Sequence, residues 1–469
     1  MIRHTLAIGL TASLLAGCSF IPDYLKPSLP VPSLWPTGPA YDKAPPAVGR
    51  AADLPWQQFV RDERLRQVIE MGLRDNRDLR IAALNVDRAQ AQFRIQRAAL
   101  FPQVGANAAE TAQRAPGLNP DRNTTSRAYS ANIATSSWEI DFFGRIRSLN
   151  SQALEQYFQT QEAQRSTQIA LIASIASNYL SFAADRQRLE LAQSTFSSRE
   201  ASHQLVQRSF ELGVASALDL SQARSSMEAA RVDIGRYTSL VAIDRNALEL
   251  VVGAPVPDTL LPANEIDASA AFSAVPVGLP SDVLQDRPDI LAAEHNLKAM
   301  NASIGAARAN FFPTISLTGS AGFASSQLSN LFTSGGTAWS FAPQVSVPIF
   351  TAGQNQATLD SARVDRSIAV AQYEQAIQTA FKEVADALAN YGTLDERMAA
   401  QQALVNATQE SFSLSEARYQ RGIDSYLDVL DSQRSLYAAQ QDLISMELIK
   451  STNQVELYKV LGGGWTKTN

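Results

Sequence analysis

The sequence predicts an α+β membrane protein, a long-helix α-barrel continuous with a trimeric twelve-stranded β-barrel, with four strands per chain and an internal two-fold repeat. Three observations predict it. The first is the repeat. Shifted by 209 positions, residues 210–253 fall on 419–462 without a gap, and Gly213, Ser216, Leu218, Asp219 and Gly253 meet Gly422, Ser425, Leu427, Asp428 and Gly462. Shifted by 211, residues 75–102 fall on 286–313, and Asp75, Asp78, Arg97, Phe101 and Pro102 meet Asp286, Asp289, Arg308, Phe312 and Pro313. A period near 210 is far longer than a solenoid repeat; it marks one duplicated half. The second observation is two proline-free helical tracts, about 145–212 and 354–421. The third is period-two alternation after each Phe-Pro, the signature of a strand with one apolar and one polar face.

Residues 1–17 read as a signal peptide. Arg3 and His4 precede a mostly apolar run from Thr5 to Leu15, too short to span a bilayer as a helix. It ends in Leu15-Ala16-Gly17-Cys18, which resembles the lipobox of bacterial lipoproteins. That resemblance implies cleavage before Cys18 and acylation of its thiol and new amino group. Ser19 is not the Asp that marks inner-membrane retention in such proteins. Cys18 is the only cysteine, so no disulfide forms within one chain. Without Arg3 the mature chain carries 39 basic and 46 acidic residues, a charge of −7, which does not suggest nucleic acid.

Residues 18–55 form the expected lipidated, extended arm: nine prolines between 20 and 55 remove amide donors and fix φ. Trp35, Tyr41 and Trp56 favour an arm packed on the body. The first structural repeat, 56–253, is read as a helix from about 60 to 100 stopped at Phe101-Pro102, a hairpin over 103–143, and a long helix pair. The crossover, 254–280, holds five prolines. The second repeat, 281–462, carries its hairpin over 314–350, and 463–469 is a tail. In the second hairpin Ile315, Leu317, Ala321 and Phe323 alternate with Thr314, Ser316, Thr318 and Ser320, and Trp339, Phe341, Val345 and Val347 continue the pattern. Pro343 and Pro348 sit badly in a paired strand and point to a bulge or kink.

The long tracts carry apolar stripes stepping by three and four: Ile172, Ile175, Tyr179, Phe182, Leu189, Phe196, Phe210, and Tyr373, Ile377, Val384, Tyr391, Leu394, Met398, Val405, Phe412, Tyr419. A mean step of 3.5 is a coiled-coil seam. Gly213 and Gly422 break these helices, and Ser216 and Ser425 stand where a residue caps the next one.

No nucleophile elbow, phosphate loop or carboxylate cluster stands out, so neither an enzyme nor a cofactor is expected. His203, on the stripe, reads as a packed side chain rather than a metal ligand. Four strands cannot close a barrel, and lipid does not tolerate open edges. Chains must pool strands, and a pore open to solutes favours twelve over eight.

The segments DRPDILAAEHNLKAMNASIGAARANFFP (286–313), WEIDFFGRIRS (138–148), GIDSYLDVLDSQRSLYAAQQ (422–441) and VELYKVLGGGW (455–465) resemble the TolC-like outer-membrane factors, in the lipoprotein branch serving resistance-nodulation-division efflux pumps. The resemblance covers essentially the whole mature chain. It implies a homotrimer anchored in outer-membrane lipid, with a helical barrel in the periplasm. It further implies docking on a periplasmic adaptor above an inner-membrane pump, as the exit channel for small molecules. By the same resemblance the turns holding Gly213, Ser216, Leu218 and Asp219, and Gly422, Ser425 and Asp428, contact the adaptor. Leu427, Asp431 and Arg434, spaced four and three apart on one helix face, would constrict the periplasmic end. A coiled-coil envelope lipoprotein needs no amphipathic hairpins, and a diffusion porin would be nearly all strand; an export conduit for another pump class is the remaining alternative.

Overall fold

The computed structural model describes residues 19–43, 50–115, 124–262 and 271–464. The leader and Cys18 lie outside them. Both halves run in the same order. The first holds α1 (Glu63–Asp75), α2 (Arg77–Ala98), β1 (Gly105–Ala115), β2 (Thr124–Glu139), α3 (Arg145–Glu211) and α4 (Ala217–Val252). The second holds α5 (Pro280–Asp286), α6 (Pro288–Ala309), β3 (Thr314–Ser325), β4 (Thr337–Ser346), α7 (Gln354–Gln420) and α8 (Tyr426–Val460). Helices α3 and α7 are 67 residues each, on the order of 100 Å at ~1.5 Å per residue.

The expected single helix over 60–100 is two. Asn76 interrupts it in an extended conformation; its Oδ1 accepts from Leu79 N at 2.8 Å and its Nδ2 donates to Val251 O at 2.7 Å. In the second half Arg287 takes this place, and its Nη1 donates to Val460 O at 2.6 Å. Val251 and Val460 are themselves repeat partners under the 209 shift, so both halves tie the same helix-end carbonyl with different side chains. The periodicity of Ala-rich helices gave no sign of either break, because one capping residue does not disturb it.

The chain divides into two compact units. One contains 19–28, Asn85–Gln161 and Ala292–Tyr373. Here the arm is ordered and extended. Phe20 stacks on Phe312 at 4.6 Å, and Phe312 on Phe143 at 5.0 Å. Asn301 Nδ2 and Arg308 Nη1 donate to Pro22 O and Phe20 O. Lys26 and Lys298 each lie 2.9 Å from the buried Glu294. Burial pushes that carboxyl up, but the two ammonium groups outweigh it and hold it below the usual range. Gly305 permits the approach, since a Cβ there would stand 2.9 Å from Ile21 N.

The same unit holds one antiparallel sheet in the order β1-β2-β3-β4. Registers Ala321↔Trp339, Gly319↔Phe341 and Ile133↔Ala321 put Ile133, Ile315, Leu317, Phe323, Trp339, Phe341 and Val345 on one face. Ser130, Asn132, Ser316, Thr318, Ser320, Ser340 and Gln344 occupy the other. Pro343 causes neither bulge nor kink. On β4 it pairs in unbroken register with Leu317. Pro348 lies beyond the strand. The bulge is instead in β2, between Thr135 and Trp138. Ser137 there adopts φ +51° and donates its amide to Thr318 Oγ1 at 3.1 Å. The extra residue brings Trp138 opposite Leu317, back on the apolar face.

The other unit contains Leu29–Leu84, Glu162–Leu291 and Glu374–Asn469, as far as these residues are described. Asp62 caps α1 by accepting from Leu65 N, and Leu65, Val68, Ile69 and Gly72 form its buried stripe. Gly72 meets α3 closely, since a Cβ would fall 2.2 Å from Ile175 Cδ1. Phe59 stacks on Tyr458 at 4.0 Å and on Phe272 at 5.1 Å, and Tyr458 Oη donates to Leu54 O. Trp35 stacks on Phe381 and donates to Gly278 O at 3.0 Å. Ile172, Ile175, Tyr179 and Phe182 are buried as the seam requires, but Leu189 and Phe196 are only half-buried and Phe210 is exposed.

Candidate functional site

The two glycine turns are built alike. After α3, Gly213 takes φ +74°, and Val214 N donates to Ser209 O at 2.8 Å, the reverse turn that closes a helix end. Ser216 then caps α4: its Oγ accepts from Asp219 N at 3.1 Å, while its own amide and hydroxyl donate to the Asp219 carboxylate. After α7, Gly422 takes φ +71°, and Ile423 N donates to Arg418 O at 3.0 Å. Ser425 N and Oγ donate to Asp428 Oδ2 at 3.1 and 2.7 Å. Only the second turn adds an ion pair, Arg418 Nη2 to Asp424 Oδ1 at 2.7 Å. Space around Gly213 and Gly422 is open, so positive φ alone demands glycine there.

Under these turns Val206, Ala223, Tyr426, Val429 and Leu430 make a small buried cluster. Burial pushes the Tyr426 phenol up to about 12. Outside it, Leu218 is 65% and Leu427 53% exposed, and Leu212, Val214 and Ile423 are exposed too. One segment thus joins a fixed backbone to an uncovered apolar surface.

Leu427, Asp431 and Arg434 do share one face of α8, and all three are exposed, while Tyr426, Leu430 and Gln433 are buried on the other. Within the chain Asp431 and Arg434 form no ion pair with each other, so the local Asp–Arg pair that this spacing allows is not made. Both charges remain available to a neighbouring molecule.

Two buried polar groups of the helices escaped the sequence reading. Arg199 of α3 is 5% exposed; its Nη1 donates to Ser226 O at 3.0 Å and its guanidinium stands 5.3 Å from the Tyr437 ring. Tyr437 Oη donates in turn to Asp233 Oδ2 at 3.1 Å, so α3, α4 and α8 are linked below the turns. Burial draws the Arg199 pKa down. Further along, Asp185 pairs with Arg188 at 2.6 Å, Arg188 donates to Ser445 Oγ at 2.9 Å, and Asp244 of α4 faces Asp185. Burial, then the Asp185 carboxylate, raises Asp244 to about 6. A lone Arg or Asp on a long helix reads as solvated, so no sequence signal marked either group. His203 is half-buried, and among the described residues no three His, Cys, Asp or Glu side chains converge as metal ligands.

The family model for outer membrane efflux proteins matches residues 68–254 and 279–463, one match on each half. The probable efflux pump outer membrane protein TtgC of Pseudomonas putida is 49% identical over 99% of this chain and 96% of its own. A membrane protein of Pseudomonas aeruginosa in a solved structure is 39% identical, with TM-score 0.89, over 95% of this chain and 100% of that one. The Neisseria gonorrhoeae MtrE outer membrane channel, solved in an open state, is 36% identical with TM-score 0.86 over 96% and 99% of the two chains. The fold is thus similar to that of outer-membrane channels over nearly the whole chain, and the chain belongs to the outer membrane efflux protein family.

Proposed function

We propose that three copies of this chain form the outer-membrane exit channel of a tripartite efflux system. It carries small molecules from an inner-membrane resistance-nodulation-division pump, through a periplasmic adaptor, to the cell exterior. It is a conduit and not an enzyme. The observation that carries this reading is the open sheet. Strands β1 and β4 each have one unpaired edge among the described residues, while one face is apolar and the other polar. In lipid an unpaired edge costs several kcal/mol per backbone group, so the sheet must close on neighbours. Two copies give eight strands, whose interior side chains fill; three give twelve and leave a lumen. The polar face then lines the pore and the apolar face meets acyl chains.

The turns Gly213–Asp219 and Gly422–Asp428 serve as the adaptor-contact tip. Their exposed leucines and valine supply apolar area to a partner. Around a threefold axis Leu427 makes an apolar ring and Asp431 a negative ring, with Arg434 free to bridge to a neighbouring helix; such rings restrict passage. Acyl chains on Cys18 anchor the arm to the membrane. The decisive measurement is the native mass of detergent-extracted protein together with its circular dichroism. A helix-dominated spectrum at three chain masses supports the channel. A monomer or dimer with the same spectrum refutes it.

A further inference from the structure

We infer that the loop joining β3 to β4 does not stand free outside the cell. It lies against the membrane and seats Phe332 among the acyl chains of the outer leaflet. The inference rests on the reading that the apolar face of the sheet meets lipid.

The loop, residues 326–336, is a folded unit. Leu328–Asn330 and Ser334–Gly336 each make a 3-10 turn, Thr333 Oγ1 donates to Asn330 O at 2.8 Å, and Leu331 is buried. Gly336 is essential to this closure, because a Cβ there would stand 2.5 Å from Leu331 O. Such a fold has the means to hide its apolar side chains, and it hides Leu331. It leaves Leu328 63% and Phe332 71% exposed. The ring is nonetheless aimed. It meets Phe323 edge-on, with centroids 5.5 Å apart and planes at 67°. Phe323 is the last apolar residue that β3 places on that face, paired with Thr337. Phe332 therefore prolongs that face past the end of the strands.

Two dimensions agree with this placement. From Ile315 to Phe323 the apolar face runs eight residue steps, roughly 27 Å along the strand and about 21 Å of height at a tilt of ~40°. The apolar band of outer-membrane barrels is ~25 Å tall. That stretch alone falls a few ångströms short, and the rings of Tyr129, opposite Ser325 on the same face, and of Phe332 stand at the rim. The hairpin β1–β2 behaves differently. It continues beyond Tyr129, which pairs with Ser325 at the end of β3, through the pairs from Ala128↔Thr111 to Thr124↔Ala115. That extension carries Arg114 and Arg127. The first hairpin thus leaves the apolar band in polar residues, while the second ends at its rim with an aromatic ring. Because β4 leads to α7 at its other end, the loop joining β3 to β4 belongs to the leaflet away from the helices.

The test replaces single residues with photoreactive benzoylphenylalanine in the full-length protein in cells, at Phe332, at Ser334 of the same loop, at Phe341 on the apolar face and at Ser340 on the polar face. After irradiation, intact-mass analysis reads covalent lipid adducts. Adducts are expected at 332 and 341, at least about tenfold above 334 and 340, because the same ring is carried at all four positions and only 332 and 341 hold it in hydrocarbon. Adducts at 341 but not 332 overturn the loop placement and leave the barrel reading intact. Equal adducts at 332 and 334 overturn the one-sided seating. No adduct at 341 refutes the barrel reading itself.

Discussion

Replacing Arg287 with methionine should loosen the C-terminal end of α8 without unfolding the chain. The residue is 7% exposed, and all three guanidinium nitrogens are engaged. It donates to Val460 O at 2.6 Å, to Asp289 through two nitrogens at 3.0 and 2.7 Å, and to Glu383 at 2.8 Å. Methionine keeps most of the volume and removes every donor. Losing a charged bond to a buried carbonyl costs ~1.5–3 kcal/mol. The carboxylates are 41% and 39% exposed, so solvent screening limits their joint contribution to about 1 kcal/mol. The total is about 3 kcal/mol, or roughly a hundredfold in the local opening constant. Hydrogen exchange read by mass spectrometry on residues 455–464 measures that opening, and residues 246–256, where Asn76 holds Val251 O, serve as the internal reference. Exchange in 455–464 should rise about a hundredfold while 246–256 stays unchanged. Unchanged exchange in 455–464 would show that packing alone holds the helix end and that the buried arginine is dispensable there.

Asp244→Asn tests the paired carboxylates. A carboxyl raised from 3.8 to about 6 binds its proton more tightly in the folded state, so its contribution to stability is full below about pH 4 and is lost as pH rises through 6. The variant should flatten the fall in Tm between about pH 4 and 6.5, by an amount equivalent to at most about 2 kcal/mol after screening; an unchanged slope would show that folding does not raise the Asp244 carboxyl. Leu427→Ala with Asp431→Ala should raise single-channel conductance in planar bilayers and sensitise cells to large antibiotics. Unchanged values in an assembled double variant would place the constriction elsewhere. Gly213→Val or Gly422→Val meets open space, so each costs only the positive-φ strain of roughly 1–2 kcal/mol. Assembly should survive while adaptor cross-linking is lost, and normal cross-linking in both would free the turns of that role. An N-terminal peptide lacking acylated Cys18 would contradict the anchor.

The long helices were legible to within a residue or two, because a sustained step of three and four, closed by Gly213 or Gly422, leaves little freedom in where a helix ends. Strand pairing was legible in the second hairpin, where apolar and polar residues alternate strictly, and less so in 103–113, which is mostly small. That Leu427, Asp431 and Arg434 share one exposed face of α8 followed from their spacing. What stayed hidden depends on single side chains meeting across distance. Asn76 and Arg287 look like any polar helix residue until Val251 and Val460 are brought beside them. Arg199 reads as solvated until Tyr437 covers it, and Pro343 reads as a defect until its register with Leu317 proves unbroken. Sequence shows repeated pattern; it does not show which polar atom finds a partner far along the chain.

The extra residue at Ser137 makes the strand's length a matter of parity. Side chains alternate sides, so inserting or deleting one residue in a flat strand turns everything beyond it inside out. In β2 the left-handed Ser137 absorbs one residue, and Trp138 recovers the side its predecessors set. The strand therefore contains an odd insertion without an inversion. Deleting Ser137 would remove the bulge, set Ser136 opposite Thr318 and leave Trp138 opposite Leu317, so no side is exchanged. Loss of two residues here would turn Trp138 and Glu139 to the wrong sides, and should harm assembly more than loss of one.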